Sequence, residues 1–289
     1  MCGLSQKIIN LFMVYIKSQE EIEVIRAGGK ILARILRTLK EMVKPGVNTA
    51  DLEEVMLKMV DEAGGRPAFK DYPMGGGIFF PSGICASIND EVVHGTAIPG
   101  RVLKEGDIID LDIGMEWPVK AELRKSLGMP LNAHSPAGGF YTDMCATVAV
   151  GQISPEAQKL LTVTKECLDA AIKKVRPGAR LNEIGGTVQK IAEKAGYGVV
   201  RDLVGHGVGY LAHEDPEVFH YLINEKSSAN LELKEGMIIC IEPMINAGTH
   251  KVKVADDGFT ILSADNSLSA HFEHTIAVTK NGYDILTLE

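Results

Sequence analysis

Apolar residues recur at helical spacing in two stretches near the start of the chain. The first stretch opens on Ser18, and Glu21 three residues later completes the sequence signature of a capping box. Isoleucines and leucines then follow at intervals of three and four as far as residue 39, which predicts a helix with one buried face. A second stretch opens at Thr49 and reaches the glycine pair 64–65, so a second helix is predicted there.

The same two-helix pattern returns in the second part of the chain. The Ser-Pro pair at 154–155 is typical of a helix start, and a further helical pattern covers residues 184–191. The sequences 44–46 and 176–178, Lys-Pro-Gly and Arg-Pro-Gly, stop the first helix of each pair, and their prolines lie 132 positions apart. This spacing indicates an internal duplication.

Four acidic residues repeat with nearly the same offset. The sequence Leu-Lys-Glu-Gly and an apolar run lead to Asp112 in the first half and to Glu242 in the second, 130 positions later. Asp143 and Glu273 are also 130 positions apart. Each half therefore reads helix–helix–strands, and a duplicated fold would bring the four carboxylates face to face. Because buried carboxylates repel one another and are costly to desolvate, we expect divalent cations between them, and four acids favour two ions over one.

The segments between the acids of each half differ in character. Residues 115–140 contain two prolines, a glycine pair and a basic cluster, which predicts an irregular exposed loop. Residues 243–271 read instead as strand–turn–strand, with the turn at 256–258. A glycine run at 75–77 lacks the lysine of a phosphate-binding loop, and we expect a mobile loop there.

A metal site of this kind also needs a nitrogen ligand, and His206 is the first candidate. Glycines on both sides of it allow close backbone approach and leave the imidazole accessible. His94 and His213 are candidates for further ligands or for groups that hydrogen-bond to substrate. Asp110 shares a strand face with Asp112, but its repeat position is a cysteine, so it is left out of the metal set. The remaining histidines are expected to be solvated or structural: His134, His220, His250, His271 and His274.

Composition limits the classes of protein to which the chain can belong. The 289 residues are 45% hydrophobic, enough for a large core, and the net charge of −8 argues against a direct reader of nucleic acid. Five cysteines without a Cys-x-x-Cys pair favour a reducing, cytoplasmic compartment. The apolar run at 8–16 is too short to span a membrane. Met13 is an alternative start, and residues 1–17 are interpreted as an N-terminal extension.

Five ligand positions occur in one order with characteristic neighbours: Asp112, Asp143, Gly-His206-Gly, Ile-Glu242-Pro-Met and Phe-Glu273-His-Thr. Together they resemble methionine aminopeptidase of type I over nearly the whole chain. The resemblance implies an α/β (α+β) pita-bread fold, in which a pseudo-twofold repeat of helix–helix–strands surrounds a central curved antiparallel sheet. It also implies one catalytic domain at 18–289, with halves 18–150 and 151–289 and an insertion at 115–140.

The same resemblance implies an enzyme that removes N-terminal methionine from nascent proteins and peptides and prefers a small second residue. Two divalent ions, manganese, iron or cobalt with zinc as an alternative, would hold a bridging hydroxide. Asp112 would bind one ion, and His206 with Glu242 would bind the other. Asp143 and Glu273 would bridge the pair. Glu242 would also act as the catalytic proton shuttle.

Substrate contacts are implied for a further set of residues. His94 and His213 match the histidines that contact substrate and intermediate, and both are therefore expected to be catalytic. The methionine pocket is expected to be formed by Tyr72, Phe80, Cys85 and Phe259. Ala212 stands where compact members of the family have an aromatic residue, so the pocket is expected to differ in shape.

Two other functions stay open at this point. Xaa-Pro dipeptidases and creatinase-like hydrolases share the fold but usually carry a further N-terminal domain, whereas only the first repeat precedes Asp112 here. A non-catalytic binding protein on this fold would lose metal ligands, and all five are present. The implied partners are methionyl peptides and nascent chains, with the ribosome as a further candidate, and the implied state is a cytoplasmic monomer that binds no membrane. The loop at 115–140 is either a rim for longer chains or a neutral insertion.

Overall fold

The computed structural model describes residues 13–119 and 138–289. Within these ranges there are four α-helices: α1 (Gln19–Met42), α2 (Thr49–Glu62), α3 (Pro155–Ile172) and α4 (Leu181–Lys194). The strands of the first half are β1 (Arg66–Pro67), β2 (Pro73–Gly75), β3 (Ile78–Phe79), β4 (Ile84–Ile88), β5 (Glu91–Val93), β6 (Ile108–Trp117) and β7 (Phe140–Ala149). The strands of the second half are β8 (Gly198–Val199), β9 (Gly205–Gly207), β10 (Glu214–Val218), β11 (Ile238–Ile241), β12 (Met244–Asn246), β13 (Val252–Val254), β14 (Ile261–Ser263), β15 (Ser269–His271), β16 (His274–Thr279) and β17 (Gly282–Ile285).

Capping residues begin the helices close to where the sequence predicts them. The Ser18 hydroxyl accepts a hydrogen bond from the backbone of Glu21, and the Glu21 carboxylate accepts one from the backbone of Ser18, which confirms the capping box. The Ser154 hydroxyl caps α3 by accepting a hydrogen bond from the backbone N–H of Ala157 at 3.1 Å. Helix α2 is capped by Asn48 rather than by Thr49, because the Asn48 side chain accepts a backbone N–H two residues later.

The duplication inferred from the sequence is present in the order of the elements. Helices α2 and α4 each have 14 residues and start at Thr49 and Leu181, in the offset of the predicted repeat. In the first half α1 packs against α2 and covers β6 and β7, and in the second half α3 packs against α4 and covers β11, β12 and β15. Each half is thus a pair of helices on a set of strands, as expected.

Two antiparallel sheets carry most of the fold. In the first half, β6 pairs with β4 and β1 on one side and with β7 on the other. The ladder of β6 and β7 runs unbroken from the pair Ile108–Ala149 to the pair Trp117–Phe140. In the second half the strand order is β10–β9–β11–β16–β17. Acidic side chains project from the buried faces of both sheets.

The two halves are joined where β7 lies beside the start of β16. The backbone N–H of Asp143 donates to the Thr275 hydroxyl at 3.0 Å, and that hydroxyl donates to the Asp143 carbonyl at 2.7 Å. The N–H of Glu273 donates to the carbonyl of Cys145 at 3.2 Å. These bonds connect residues far apart in sequence, and they place one acid from each half next to the other.

The loop expected at 115–140 contains fewer residues than the sequence suggests. Strand β6 continues to Trp117 and β7 already starts at Phe140, because the two strands remain paired and buried up to that point. The irregular composition therefore belongs to the connection between the strands alone. Its interior, residues 120–137, lies outside the described residues.

Two other predicted connections can be compared with the structure. The glycine run 75–77, expected as a mobile loop, instead forms the turn of the β2–β3 hairpin, and all three glycines have positive φ. This expectation missed the hairpin because its strands are only two and three residues long. The strand–turn–strand expected at 243–271 is confirmed by strands β12 to β15.

Residues 13–17, the described part of the expected extension 1–17, pack against the second half. The Lys17 amine forms a buried ion pair with Glu214, and the Lys17 N–H donates to the carbonyl of Gly236 at 2.8 Å. Val14 forms a parallel bridge with Asp215. Among residues 13–119 and 138–289, no helix has the length and apolar character that crossing a membrane requires.

Two adjacent glycines let α1 approach its neighbours closely. A Cβ atom on Gly29 would lie 2.3 Å from the carbonyl oxygen of Leu286, a backbone atom that cannot rotate away. A Cβ atom on Gly28 would meet the Cβ of Trp117 at 3.5 Å, which is an ordinary contact. The two positions are equally helical, so they differ only in the space available.

We predict that Gly29→Ala lowers the free energy of unfolding by at least about 2 kcal/mol, because the helix must move away from the C-terminal strand. Gly28→Ala should leave stability unchanged or raise it by up to about 1 kcal/mol, since alanine is the better helix former. Urea denaturation followed by circular dichroism measures both. Equal effects of the two substitutions would contradict the packing described here.

Candidate metal centre and substrate cavity

Four acidic side chains from both halves meet at the seam. Asp112 projects from the middle of β6 and Asp143 from β7, while Glu242 follows β11 and Glu273 precedes β16. Asp112, Asp143 and Glu273 each bring a carboxylate oxygen within 4.8 Å of the other two. The seam thus collects the four acids that the repeat predicted to meet.

Each of these carboxylates is buried and has one oxygen without a hydrogen-bond partner among the described residues: Oδ1 of Asp112, Oδ1 of Asp143, Oε1 of Glu242 and Oε1 of Glu273. Burial raises the pKa of Asp112 to about 8. Burial, together with the neighbouring carboxylates, raises the pKa of Asp143 and of Glu273 well above the usual range. Unpaired buried oxygens are costly, and cations would satisfy all four together. A set of carboxylates with an imidazole beside it fits divalent metal ions.

Glu242 differs from the other three acids because histidines surround it. Its Oε1 lies 3.3 Å from Nε2 of His206, and its Oε2 lies 3.6 Å from Nε2 of His271. Its backbone N–H donates to Nε2 of His220 at 3.1 Å. Burial by itself raises the pKa of Glu242, but the contact with His271 and the charges of the histidines outweigh burial and lower the pKa. Glu242 is therefore the acid that ionises most readily.

His206 owes its position to the two glycines that flank it on β9. A Cβ atom on Gly205 would lie 2.5 Å from the carbonyl oxygen of Cys240, and one on Gly207 would lie 2.2 Å from that of Asp215. Larger residues would therefore push β9 away from β10 and β11. The Nδ1 atom of His206 donates to the carbonyl of Gly207 at 2.9 Å, in the tautomer that leaves Nε2 free to bind a metal ion.

A cavity of about 310 Å³ opens onto the acids. The four acids and His206 are among the residues that line its floor, and most of its other walls are apolar. The apolar lining residues are Phe69, Met74, Phe80, Val93, Leu203, Val204 and Met244. A single apolar side chain could be enclosed there while its backbone remains close to the carboxylates.

Of the residues expected to form the methionine pocket, three line the cavity and one lies behind them. Tyr72, Phe80 and Cys85 line the cavity. Phe259 is not part of the lining and packs behind Phe80, with the ring centroids 6.0 Å apart and the rings perpendicular. Next to Ala212, the walls beside His213 open into a second depression that Tyr72 also borders.

His94 and His213 both face the cavity. Burial lowers the pKa of His94. Desolvation by the surrounding walls, followed by the charge of His206, lowers the pKa of His213. Nδ1 of His213 lies 3.0 Å from the hydroxyl of Tyr72, which can donate to it. Both rings are therefore neutral near pH 7, and His213 is left with an Nε2–H that can donate.

Three residues at the site escaped the sequence analysis. His220 and His271 are buried rather than solvated, since each is 1% exposed, and each contacts Glu242. Asp110, left out of the metal set, lies 3.2 Å from His271. A usable signal existed: His271 and Asp110 each precede a ligand candidate by two positions, and strand alternation puts such pairs on one face. Of the other histidines, His274 bonds to the Thr287 hydroxyl, His250 is outside the cavity lining, and His134 lies outside the described residues.

Comparison with known proteins gives the same picture. The model of metallopeptidase family M24 matches residues 23–119 and 131–280. Methionine aminopeptidase of Clostridium acetobutylicum is 41% identical over 276 residues, which cover 96% of this chain and 99% of that protein. The crystal structure of methionine aminopeptidase from Thermotoga maritima has a TM-score of 0.83 and 36% identity, and the match covers 96% of this chain and 100% of that one.

A more distant neighbour shares the fold alone. The prolidase from Pyrococcus horikoshii OT3 has a TM-score of 0.68 and 22% identity, and the match covers 94% of this chain but 63% of that chain. The prolidase thus extends well beyond the shared part, whereas the methionine aminopeptidases match over their whole length. These neighbours confirm the expected pita-bread fold. The chain therefore belongs to metallopeptidase family M24 and, within it, to the methionine aminopeptidases.

Proposed function

We propose that this protein is a metal-dependent aminopeptidase that removes the N-terminal methionine from peptides and nascent proteins. One observation carries the proposal: the carboxylates of both halves and one imidazole converge on the floor of an apolar cavity large enough for a single side chain. The similarity to methionine aminopeptidases over the whole chain supports the same function. The prolidase-like alternative has similarity of fold alone in its favour.

The acids would hold two divalent ions. Asp112 would bind one ion, and His206 with Glu242 would bind the other. Asp143 and Glu273, which lie next to each other across the seam, would bridge them. Manganese, iron or cobalt suits a set of oxygens with one imidazole, and zinc is an alternative. Divalent ions bound there supply an activated water molecule and polarise the carbonyl of the scissile bond.

The protein's own groups would position the substrate and move protons. Glu242, the most readily ionised acid, accepts a proton from the attacking water and passes it to the leaving amine. The Nε2–H of His213 donates to the oxygen of the scissile carbonyl as negative charge develops on it. The neutral ring of His94, which lines the cavity beside Phe80, would contact the scissile amide.

Selectivity would follow from the shape and polarity of the cavity. Tyr72, Phe80 and Cys85 enclose an unbranched apolar side chain, and Phe259 supports Phe80 from behind. The four carboxylates attract the free α-amine, so only the first residue of a chain is accepted. Crowding between the acids and His213 leaves little room for the second side chain, which favours a small residue there.

The setting of the enzyme is part of the proposal. Peptides and nascent chains with N-terminal methionine are the substrates, and the ribosome is a candidate partner. A cytoplasmic monomer organised as one catalytic domain at 18–289 fits the reduced cysteines, of which Cys85, Cys145, Cys167 and Cys240 are buried thiols.

Removing metal should make stability depend on pH. After chelation, folded Asp112 holds a proton at pH 7, whereas in the unfolded chain an aspartate ionises near pH ~4. A group that stays protonated only in the folded state costs that state about 1.4 kcal/mol per pH unit, and less as pH reaches its folded pKa. We predict that the free energy of unfolding of chelated protein falls by at least about 1 kcal/mol between pH 7 and pH 8, because Asp112 titrates across this interval and the raised pKa values of Asp143 and Glu273 act in the same direction.

Urea titrations at the two pH values measure this fall, and Mn²⁺ should diminish it, because metal-bound carboxylates are ionised. The chelated protein should also be inactive and regain activity with Mn²⁺. Equal stability at both pH values, or full activity after chelation verified by metal analysis, would contradict the carboxylate cluster as a metal site.

Substitutions of two neighbouring histidines should separate metal binding from turnover. His206→Ala should weaken metal binding at least about tenfold and lower activity with it, because a ligand is lost. His213→Ala should keep both ions and lower kcat about 100-fold or more, because a donor to the oxyanion is lost. Isothermal titration with Mn²⁺ and tripeptide kinetics measure the two effects. Loss of an ion in His213→Ala would show that the roles are assigned wrongly.

Tripeptides should reveal the selectivity directly. Met-Ala-Ser should be hydrolysed with a kcat/KM about 100-fold above that of Ala-Ala-Ser. The alanine side chain leaves the pocket empty, so the free energy gained by burying the methionine side chain is lost. Met-Lys-Ser should be at least about tenfold poorer than Met-Ala-Ser, because its second side chain is too long for the space. Comparable rates for Met-Ala-Ser and Ala-Ala-Ser would rule out a methionine pocket.

A further inference from the structure

A buried pair of titratable side chains that the proposed reaction leaves unused lies beside Glu242, and one of the two, His271, also lines the cavity. Asp110 comes from β6 in the first half and His271 from β15 in the second, so the pair crosses the seam. Nδ1 of His271 lies 3.2 Å from Oδ2 of Asp110, and the side chains are 2% and 3% exposed. Groups of this kind are seldom buried unless they are paired or have a function.

The pair is held rigidly by one threonine of β7. The backbone N–H of His271 donates to the Thr147 hydroxyl at 2.8 Å. That hydroxyl lies 2.9 Å from the carbonyl of His271 and 3.3 Å from Oδ1 of Asp110, so its proton is shared between the two acceptors. The backbone of His271 and the carboxylate of Asp110 are thereby fixed relative to each other, and the bond between Nδ1 and Oδ2 then orients the ring.

The second ring nitrogen of His271 points at Glu242. Nε2 is buried without a hydrogen-bond partner among the described residues, and it lies 3.6 Å from Oε2 of Glu242. Both nitrogens of the ring therefore face carboxylate oxygens, which only accept hydrogen bonds. The other oxygen of Glu242, Oε1, faces His206.

We propose that Asp110 and His271 form a positioning pair that holds the Glu242 carboxylate by Oε2 and presents Oε1 to the metal site beside His206. The proposal rests on the metal-binding role proposed above for Glu242. A carboxylate rotates freely about its last bond unless one oxygen is held, so a fixed donor behind it selects the orientation in which a cation is bound. Loss of a partner that holds a metal ligand in this way typically lowers metal affinity or activity about 10–100-fold.

A different role for the same residues is direct metal binding. Asp110, Cys145 and His271 each bring a possible ligand atom within 4.8 Å of the others. However, both oxygens of Asp110 and Nδ1 of His271 already have partners. Within residues 13–119 and 138–289, Nε2 of His271 is the one ligand atom of the pair without a hydrogen-bond partner, and it is directed at Glu242. The contacts therefore favour positioning.

Co²⁺ titration of the full chain tests the proposal. His271→Leu removes both contacts of the ring, and Asp110→Asn keeps an acceptor for Nδ1 but removes its charge. His250→Leu is the matched control, because His250 is absent from the cavity lining. Circular dichroism of each chelated variant establishes that it is folded. Co²⁺ affinity, the visible absorption of the Co²⁺ protein, and kcat and KM for Met-Ala-Ser are then measured.

The expected result is a loss of about 10–100-fold in Co²⁺ affinity for His271→Leu, with a changed absorption spectrum and an unchanged number of ions at saturation. kcat should fall while KM stays within about threefold, since substrate contacts are intact. Asp110→Asn should show a smaller loss of Co²⁺ affinity and of kcat. If His271→Leu does not fold, Asp110→Asn alone tests the proposal. His250→Leu should match the parent protein.

Three results would overturn the proposal. They are an affinity and spectrum of His271→Leu equal to those of the parent, the loss of one ion at saturation, or a rise in KM alone. The first would exclude positioning, the second would make His271 a ligand, and the third would make it a substrate contact. Glu242→Gln is measured alongside to test the proposed function separately. If this variant binds Co²⁺ like the parent, the metal-binding role proposed for Glu242 is wrong.

Discussion

The cost of burying four acidic side chains together is the constraint on which the rest of this structure depends. Asp112, Asp143, Glu242 and Glu273 are drawn together by the pairing of β7 with the start of β16, and each retains an oxygen that no other described residue satisfies. The ladder of β6 and β7 holds Asp112 and Asp143 in place, and histidines lie beside Glu242. Cations bound between the acids would offset the remaining cost, because the acids are already assembled when an ion arrives.

The two halves contribute unequally although their elements repeat. The first half supplies Asp112 from within a continuous ladder, in a setting that raises its pKa to about 8. The second half supplies Glu242, whose pKa the surrounding histidines lower. Two acids at equivalent positions thereby acquire different proton affinities. That difference is what a reaction needs when one carboxylate must exchange protons while the others only hold charge.

Much of the fold was predictable from local sequence. The capping box at Ser18, the helix start at Ser154 and the offset between the halves all appear in the structure. The two helix starts depend on residues close together in the chain, whose geometry is fixed by backbone chemistry alone, and the offset follows from the repeat of such local signals. The β2–β3 hairpin was missed for the opposite reason, since strands of two and three residues leave no periodic signal. The extent of β6 to Trp117 was missed because pairing with β7 overrides its irregular composition.

The sequence by itself determined which residues are candidates for the centre: the two acid pairs follow from the repeat, and His206 follows from its glycines. It did not determine which other side chains contact these candidates. His271 and Asp110 are 161 positions apart, and their contact exists only because β6, β7 and β15 converge on Thr147. Phe259 likewise lies behind Phe80 rather than in the cavity wall, a distinction that depends on how the side chains of distant strands pack. Local chemistry specifies turns, caps and ligand candidates, whereas burial, proton affinity and the neighbours of each ligand are properties of the assembled seam, because only there do groups from both halves share one low-dielectric space.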